Sequence, residues 1–290
     1  MSLNRKLRNM NKAIFIADFF AHQVSGGGEL NNKILIDTLN EKGYSIKTVN
    51  SHVVTKNFLI ENRLCKYIIA NFINLPEGCK EYIQDNCDYN IYEHDHKYLN
   101  NRNPAEYDDY LAPKEEVINF KFYQKANNVF CQSKLHYSIV RKNLQLDNIV
   151  NLGGNLWAPD ALEYMRTLSR KEKKPICSIM NSNIKHKNTE GAIKYCRAKE
   201  LQYQLIGHCT PEEFLNRLSH NEKLVFFPLT PETLSRIVIE ARMMGMKVVT
   251  NKRVGATSEE WFSLKGEELI DFMFSKRDKI ISIIENVINE

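Results

Sequence analysis

Glu232 and Glu240 stand eight positions apart in the stretch LTPETLSRIVIEARMMGMKVVT, residues 229–250. On a helix that spacing covers about 12 Å and returns to nearly the same face, since each residue rises 1.5 Å and turns 100°. Glu240 closes the apolar run Ile237, Val238, Ile239. A carboxylate set against buried aliphatics is costly, or shifts its pKa, unless something hydrogen-bonds it. Ligand hydroxyls would do so. Glu232, at the start of a helix expected over 232–244, is accounted for by the helix dipole alone. Thr233, Leu234 and Ser235 then offer N–H groups of a helix N-terminus to a phosphate. A diphosphate carried between two diol-bearing sugars fits all three features.

Three other segments have residue types suited to chemistry. HQVSGGGELNN places Gly26, Gly27 and Gly28 before a helix, where backbone N–H groups can approach an anion. Asn31 stands where a dinucleotide fingerprint needs its third glycine, which argues against a nicotinamide or flavin cofactor. The long segment 89–113 sets Tyr92, Tyr98, Tyr107 and Tyr110 among charged and amide side chains, a mixture suited to a sugar or another polar ligand. Glu93, His94, Asp95 and His96 also raise a metal site. Neighbours in an extended chain point to opposite sides, so at best two of the four converge, and a surface loop is the preferred reading. In SIMNSNIKHKNTEGAIKYC, a strand, a polar turn bearing Lys185 and Lys187, and a helix suit phosphate binding. Two solvated lysines would explain the same turn.

The elements that must position these residues alternate along the chain. Strand-like KAIFIADFF (12–20) precedes a helix with Leu30, Ile34, Leu35 and Leu39 at helical spacing. After it come YSIKTVN, KYIIANF, a helix from about Pro76, DYNIYEH, a helix around 115–126, NNVFCQS and a helix from about Ser133. The alternation pauses over NIVNLGGNLWAPDALEYMRTLSRKEKKP and restarts with ICSIMNS, LQYQLIG, KLVFFP and MKVVT separated by helices 187–200, 211–219 and 232–244. Such alternation implies βαβ units and parallel sheets. A basic, proline-bounded segment near 169–175 reads as a hinge, giving domains 1–168 and 169–290. The expected fold is α/β, with two Rossmann-like domains facing across a cleft and a C-terminal helix packing back on the first.

At 290 residues, 43% hydrophobic and 26% charged, the chain can bury sizeable cores. The net charge of +5 permits an anionic small ligand or a lipid surface but demands neither, and no nucleic-acid partner is expected. Basic residues bunch at Arg5, Lys6, Arg8 and Lys12 and again around Arg166, Arg170, Lys171, Lys173 and Lys174, both read as solvated. Seven cysteines without a C-x-x-C pair read as reduced thiols of a cytoplasmic protein, not a disulfide frame or zinc site. No apolar run approaches the roughly 20 residues of a membrane span. Asp18 interrupts AIFIADFFA, which is read as a strand and not a signal peptide. Membrane contact is expected to be at most peripheral, at the inner membrane surface.

PETLSRIVIEARMMGMKVV resembles the donor-binding motif of the retaining GT-B glycosyltransferases that include sucrose synthase and many bacterial lipid glycosyltransferases. Two glutamates with seven residues between them, then Ala241, Gly245 and the strand MKVVT, carry the resemblance. It implies that Glu232 contacts hydroxyls of the transferred sugar and Glu240 the ribose of the nucleotide. SGGGE resembles the family's glycine-rich loop, making Gly27 and Gly28 donor-side residues. His94, after YNIYE, resembles the histidine lining the catalytic cleft, and NVFCQSKLHYSIV the run that ends the first domain. Lys187 resembles the lysine that neutralises the departing diphosphate, with Lys185 beside it. The implied catalytic residues are His94, Lys187 and Glu232. The donor would be held by Gly27, Gly28, Lys185, Thr233, Leu234, Ser235 and Glu240. Tyr92, Asp95, His96 and Tyr98 would meet the acceptor, a glycan or lipid-linked sugar.

The chain departs from the family at Asn181 and Ser182, where Gly-Arg is usual, and at Leu234 and Ser235, where an aromatic-glycine step is usual. No Asp-x-Asp motif is present, so neither metal nor cofactor is expected. A sugar-nucleotide epimerase on the same fold and a degenerate, non-catalytic binding subunit are the alternatives.

Overall fold

The central strand-forming runs are apolar on both faces, as strands covered on two sides by helices must be, whereas edge runs such as Ser45–Asn50 keep polar, exposed positions. In the computed structural model, which describes residues 12–207 and 209–290, they form two all-parallel sheets. The chain divides into two compact units. The first holds the described residues up to Gln132, then Tyr137–Leu156 and Arg277–Glu290; the second holds Ser133–His136 and Trp157–Lys276. Arg5, Lys6 and Arg8 lie outside the described residues.

The first unit contains strands β1 (Lys12–Ala17), β2 (Ser45–Asn50), β3 (Lys66–Ile69), β4 (Asp88–Tyr92), β5 (Val129–Cys131) and β6 (Ile149–Asn151), in the order β2-β1-β3-β4-β5-β6. Helices α1 (Gly27–Glu41), α2 (Lys56–Glu61), α3 (Glu77–Asn86), α4 (Phe120–Lys125) and α5 (Lys134–Leu144) connect them. Alternation along β1 divides its side chains between two cores, as a period of two requires. Ile14 and Ile16 pack with Tyr67, Ile91 and Phe122 on one face. Ala13, Phe15 and Ala17 pack with Leu35, Leu39 and Phe130 on the other, together with Ile280, Ile281, Ile284 and Ile288 of the chain's last helix. The expected association of the C-terminal helix with the first domain is thus observed. Asp18 ends β1, and its buried carboxylate accepts bonds from Ser51 Oγ and from the N–H groups of Ile73 and Asn74 at 3.0 Å each. It thereby joins the loops after β1, β2 and β3.

In the second unit β7 (Lys174–Met180), β8 (Tyr203–Ile206), β9 (Asn221–Phe226) and β10 (Lys247–Thr250) are ordered β10-β9-β7-β8, with helices α6 (Pro159–Ser169), α7 (Thr189–Ala198), α8 (Pro211–Ser219) and α9 (Arg236–Met243). The last helix, α10 (Glu267–Asn289), begins in this unit and ends in the first. Counted from its own first strand, this sheet repeats the order of the first.

Three expectations change. The helix expected at 115–126 is helical only as α4, after a single 3-10 turn at Lys114–Glu116. β6 and α6 occupy the stretch where the alternation was expected to pause. The units divide at Leu156 and Trp157, earlier than the expected 168/169, because Leu162, Met165 and Leu168 of α6 enter the core of the second unit with Leu218, Val238 and Met273. The basic segment near 169–175 is therefore part of that unit and not a hinge. Arg166 Nη2 lies 2.7 Å from Asp271, Arg170 Nε 2.8 Å from Glu267, and Lys173 Nζ donates to the carbonyls of Leu168 and Ser219. All seven cysteines are free thiols.

Candidate functional site

Open parallel sheets bind ligands beyond the C-terminal ends of their strands, where the strand order reverses. In the second unit that point lies between the adjacent strands β7 and β9, and the loops leaving them carry the residues singled out by sequence. The loop after β7 makes a 3-10 turn at Lys185–Lys187 and ends at Asn188, whose φ of 55° turns the chain into α7. Asn188 caps that helix by accepting from Gly191 N, and its Nδ2 donates to Phe227 O at 2.8 Å. Leu229 N donates to His186 O at 2.8 Å, so the two loops are stitched side by side. Across that seam Lys187 Nζ pairs with Glu232 Oε1 at 2.7 Å. Lys185 is exposed.

Glu232 is not at a helix mouth. Its N–H donates to Arg253 O at 2.7 Å, and its carbonyl accepts from Gly255 N at 2.9 Å, forming a short parallel bridge with Val254. Ala256 N bonds Leu234 O at 3.0 Å, and Ser133 Oγ donates to Thr233 O at 2.6 Å. Gly255 is required here, because a Cβ would fall 2.3 Å from Thr233 O and 2.4 Å from Ser133 Oγ. The helix starts only at Arg236, after Ser235 at φ 76° and ψ 88°. A serine in that region is strained, whereas glycine adopts it freely. Glu232 is therefore held by Lys187 and not by a helix dipole, and the two glutamates do not share a helical face. The Leu234 side chain is fully buried in the core, so only its backbone can meet a ligand. Ser235 Oγ is buried with no hydrogen-bond partner.

Glu240, expected to depend on a ligand for its hydrogen bonds, has partners in the protein. Trp157 Nε1 donates to Oε1 at 2.9 Å, and Arg236 Nε lies 3.3 Å from the same oxygen. The Arg236 guanidinium also covers the Trp157 ring, 4.6 Å from its centroid. Trp157 sits just before α6 in sequence, and nothing local foretold its role.

In the first unit the order reverses between β1 and β3. There α1 begins at Gly27, and Glu29 in its first turn accepts from Asn71 Nδ2 at 3.4 Å; burial raises the carboxyl's pKa. A side chain at Gly28 would press on His94, with its Cβ 3.3 Å from the ring Cγ. Gln132 Nε2 donates both to the carbonyl of Glu93 and to His94 Nδ1. The carbonyl identifies the amide nitrogen, so Nδ1 is the unprotonated ring nitrogen and the proton sits on Nε2, donated to Asn32 Oδ1 at 2.6 Å.

The acceptor set does not stand as expected. Tyr92 and Tyr98 are fully buried and His96 almost so. The Tyr92 hydroxyl accepts from Asn31 Nδ2 at 2.6 Å, while His96 Nδ1 lies 3.0 Å from the Tyr98 hydroxyl. These three are interior groups and cannot face an acceptor. Burial, and then Lys97, lowers the His96 pKa to about 3. Asp95 is half-exposed and paired with Arg102 at 3.2 Å. Glu93, read from sequence as part of a surface loop with a minority metal reading, is instead buried; its Oε1 takes the Lys97 ammonium and its Oε2 the Tyr123 hydroxyl. Burial raises its pKa. The four-residue Glu93–Lys97 spacing was the one available signal, and it lies outside any helix.

Among the described residues no three His, Cys, Asp or Glu side chains come together as metal ligands. Nor is any described helix long and apolar enough to cross a membrane.

No protein-family profile and no curated protein sequence matches the chain. Solved structures do match its fold. HepE (Alr3699) of Anabaena, solved with UDP and glucose, is 10% identical with a TM-score of 0.55 over 96% of this chain and 92% of that one. The catalytic domain of starch synthase IV from Arabidopsis thaliana, bound to ADP and acarbose, is 9% identical with a TM-score of 0.55 over 97% and 95%. The likeness establishes the fold, and the two Rossmann-like domains of the expected GT-B class are those observed.

Proposed function

We propose that the chain is a retaining glycosyltransferase that moves a sugar from a nucleotide-diphosphate donor to an acceptor hydroxyl. The observation that carries the proposal is the Lys187–Glu232 pair at the switch point of the second sheet, one short turn before the N-terminus of α9. A switch-point loop, a cation and a helix N-terminus together suit a diphosphate. The buried, unpartnered Ser235 Oγ at that N-terminus suits a phosphate oxygen. HepE with UDP and glucose, and starch synthase IV with ADP and acarbose, share the fold and lend support.

In this reading Glu232 receives hydroxyls of the transferred sugar and Glu240 receives the ribose. Lys187, the backbone of Thr233, Leu234 and Ser235, and the exposed Lys185 meet the diphosphate. The bond from the anomeric carbon to the phosphate oxygen breaks while the acceptor oxygen bonds to that carbon on the same face. The acceptor proton passes to the departing phosphate, so the anomeric configuration is retained. Preorganised positive groups of this kind do the largest part of such catalysis. His94 borders the first unit's glycine loop, with Gly27 and Gly28 admitting the donor's phosphates closely. Of the acceptor residues Asp95 remains, and the acceptor is a glycan or lipid-linked sugar met in the cytoplasm or at the inner membrane surface. No divalent ion takes part.

The test is a thermal-shift screen of nucleoside diphosphates and nucleotide sugars, then transfer assays with and without a chelator. A ligand at about 100 times its Kd adds about 2.7 kcal/mol of stability. Product with the donor's anomeric configuration, formed equally in chelator, is expected. Donor turnover without acceptor would indicate an epimerase. A chain that binds no nucleotide would be a binding subunit, and activity lost in chelator but restored by manganese would overturn metal independence.

A further inference from the structure

Glu240 is held by two side chains: Arg236, four residues earlier on α9 where helix geometry brings such pairs together, and Trp157, which nothing local explains. Trp157 is almost fully buried, and an indole N–H can only donate. It donates to Glu240 Oε1 at 2.9 Å, the oxygen that also takes Arg236 Nε at 3.3 Å. Arg236 lies flat on the same indole, 4.6 Å from the ring centroid, an arrangement in which each of the three side chains limits the other two. Both donors converge on one oxygen. A carboxylate has about four lone-pair sites, so its second oxygen can accept from a vicinal diol without disturbing either bond.

We propose that Trp157 and Arg236 are positioning residues for Glu240, fixing its carboxylate through one oxygen so that the other serves the ribose diol of a nucleoside diphosphate. The proposal rests on the glycosyltransferase reading above and deepens it by assigning how the ribose is recognised. Trp157 does not touch the ligand. Its indole N–H restricts the rotation of a carboxylate that does, so that the ordering cost is met before the nucleotide arrives.

The experiment compares UDP, ADP and GDP with their 2′,3′-dideoxy forms by calorimetry, on the full chain and on Trp157→Phe. Phenylalanine keeps an aromatic face under Arg236 but removes the donor. Wild type is expected to bind at least one ribonucleotide. Trp157→Phe should weaken that ribonucleotide about tenfold, the worth of one hydrogen bond to a charged group, and change the dideoxy form by less than about twofold. Equal weakening of both forms would mean general damage to the core and overturn the proposal, as would no weakening of either. Arg236→Met, at a half-buried position, gives the same comparison while keeping the indole N–H donor and an apolar cover over the ring. It should show a smaller loss in the same sense, and an unchanged ribose preference there would also count against the proposal. If none of UDP, ADP and GDP binds wild type, the donor-site reading fails and the proposal falls with it. If they bind with the ribose preference unaltered in both variants, only the proposal fails.

Discussion

Each unit holds a lysine–glutamate pair near the C-terminal edge of its sheet, and the two pairs are built for different tasks. In the first unit Lys97 and Glu93 have side chains 1% and 0% exposed, and Tyr123, the N–H of Asp95 and the Phe72 ring close around them. In the second, Lys187 and Glu232 are 25% and 15% exposed, on two loops stitched by the Leu229 N–His186 O bond and by Asn188 Nδ2 on Phe227 O. A sealed ion pair has spent its hydrogen-bonding capacity on the protein. A half-open pair holds two charges in place and still offers lone pairs and N–H groups to a ligand. Ion-paired residues at strand ends thus mark a ligand site only where solvent still reaches them.

Lys97→Met breaks the sealed pair and leaves Glu93 buried without its cation. It should destabilise the first unit by about 3–5 kcal/mol, read by urea unfolding, and Glu93→Leu combined with Lys97→Met should recover most of that loss. A loss under about 1 kcal/mol would show that the pair is not sealed and remove the contrast. Lys187→Met should do the reverse. Removing a preorganised cation should slow transfer by about 10²–10³-fold, while stability changes by less than about 1 kcal/mol, as for exposed pairs. A comparable loss of stability in both variants would erase the difference between the two regions.

His96, beside the sealed pair, should also make a distinct contribution to acid sensitivity. His96 is neutral in the folded chain, with its pKa lowered by burial from 6.5 to about 3. Between those values the unfolded chain binds the proton and the folded one does not, so stability falls as pH drops below 6.5. The slope approaches about 1.4 kcal/mol per pH unit, or about 2 kcal/mol between pH 6.5 and 5. The raised pKa values of Glu93 and Glu29 act in the opposite sense. Their folded pKa values exceed the unfolded one, so their contribution is present at low pH and is lost as pH rises through the folded values. The His96 share is therefore measured as the difference between wild type and His96→Gln, and identical profiles would refute it. The smallest effect is expected at Ser235→Gly. Relieving a positive φ of 76° should raise stability by about 1 kcal/mol in thermal unfolding, while loss of the hydroxyl set against a phosphate oxygen should weaken nucleotide binding by about fivefold. A destabilised variant would mean that the serine hydroxyl has a role in the unliganded chain.

The sheets were legible because their central strands are buried on both faces and read as unbroken apolar runs such as Ala13–Ala17. The loops were legible too, since parallel topology alone assigns ligand binding to the segment after each strand. What escaped depended on contacts distant in sequence. Glu232 looked like a helix start because Ser235 resembles an ordinary helix-entry residue, and no local signal reveals its positive φ or the bridge to Val254. β6 has only three residues, too few to show a period. Tyr92, His96 and Tyr98 have polar tips; Tyr92 bonds Asn31, 61 positions away, and His96 and Tyr98 bond each other inside the core. Glu240 was correctly marked as a carboxylate needing partners, yet its partner Trp157 lies 83 positions away.

The measurement that bears most directly on the donor site is titration calorimetry of wild type and Glu240→Gln with UDP, ADP and GDP. Wild type is expected to bind at least one of the three. Glu240→Gln should bind it about tenfold more weakly, because an amide offers one acceptor oxygen where the carboxylate offered two. Wild-type affinity in Glu240→Gln would contradict the role given to that carboxylate, and no binding of any nucleotide to wild type would contradict the donor site itself.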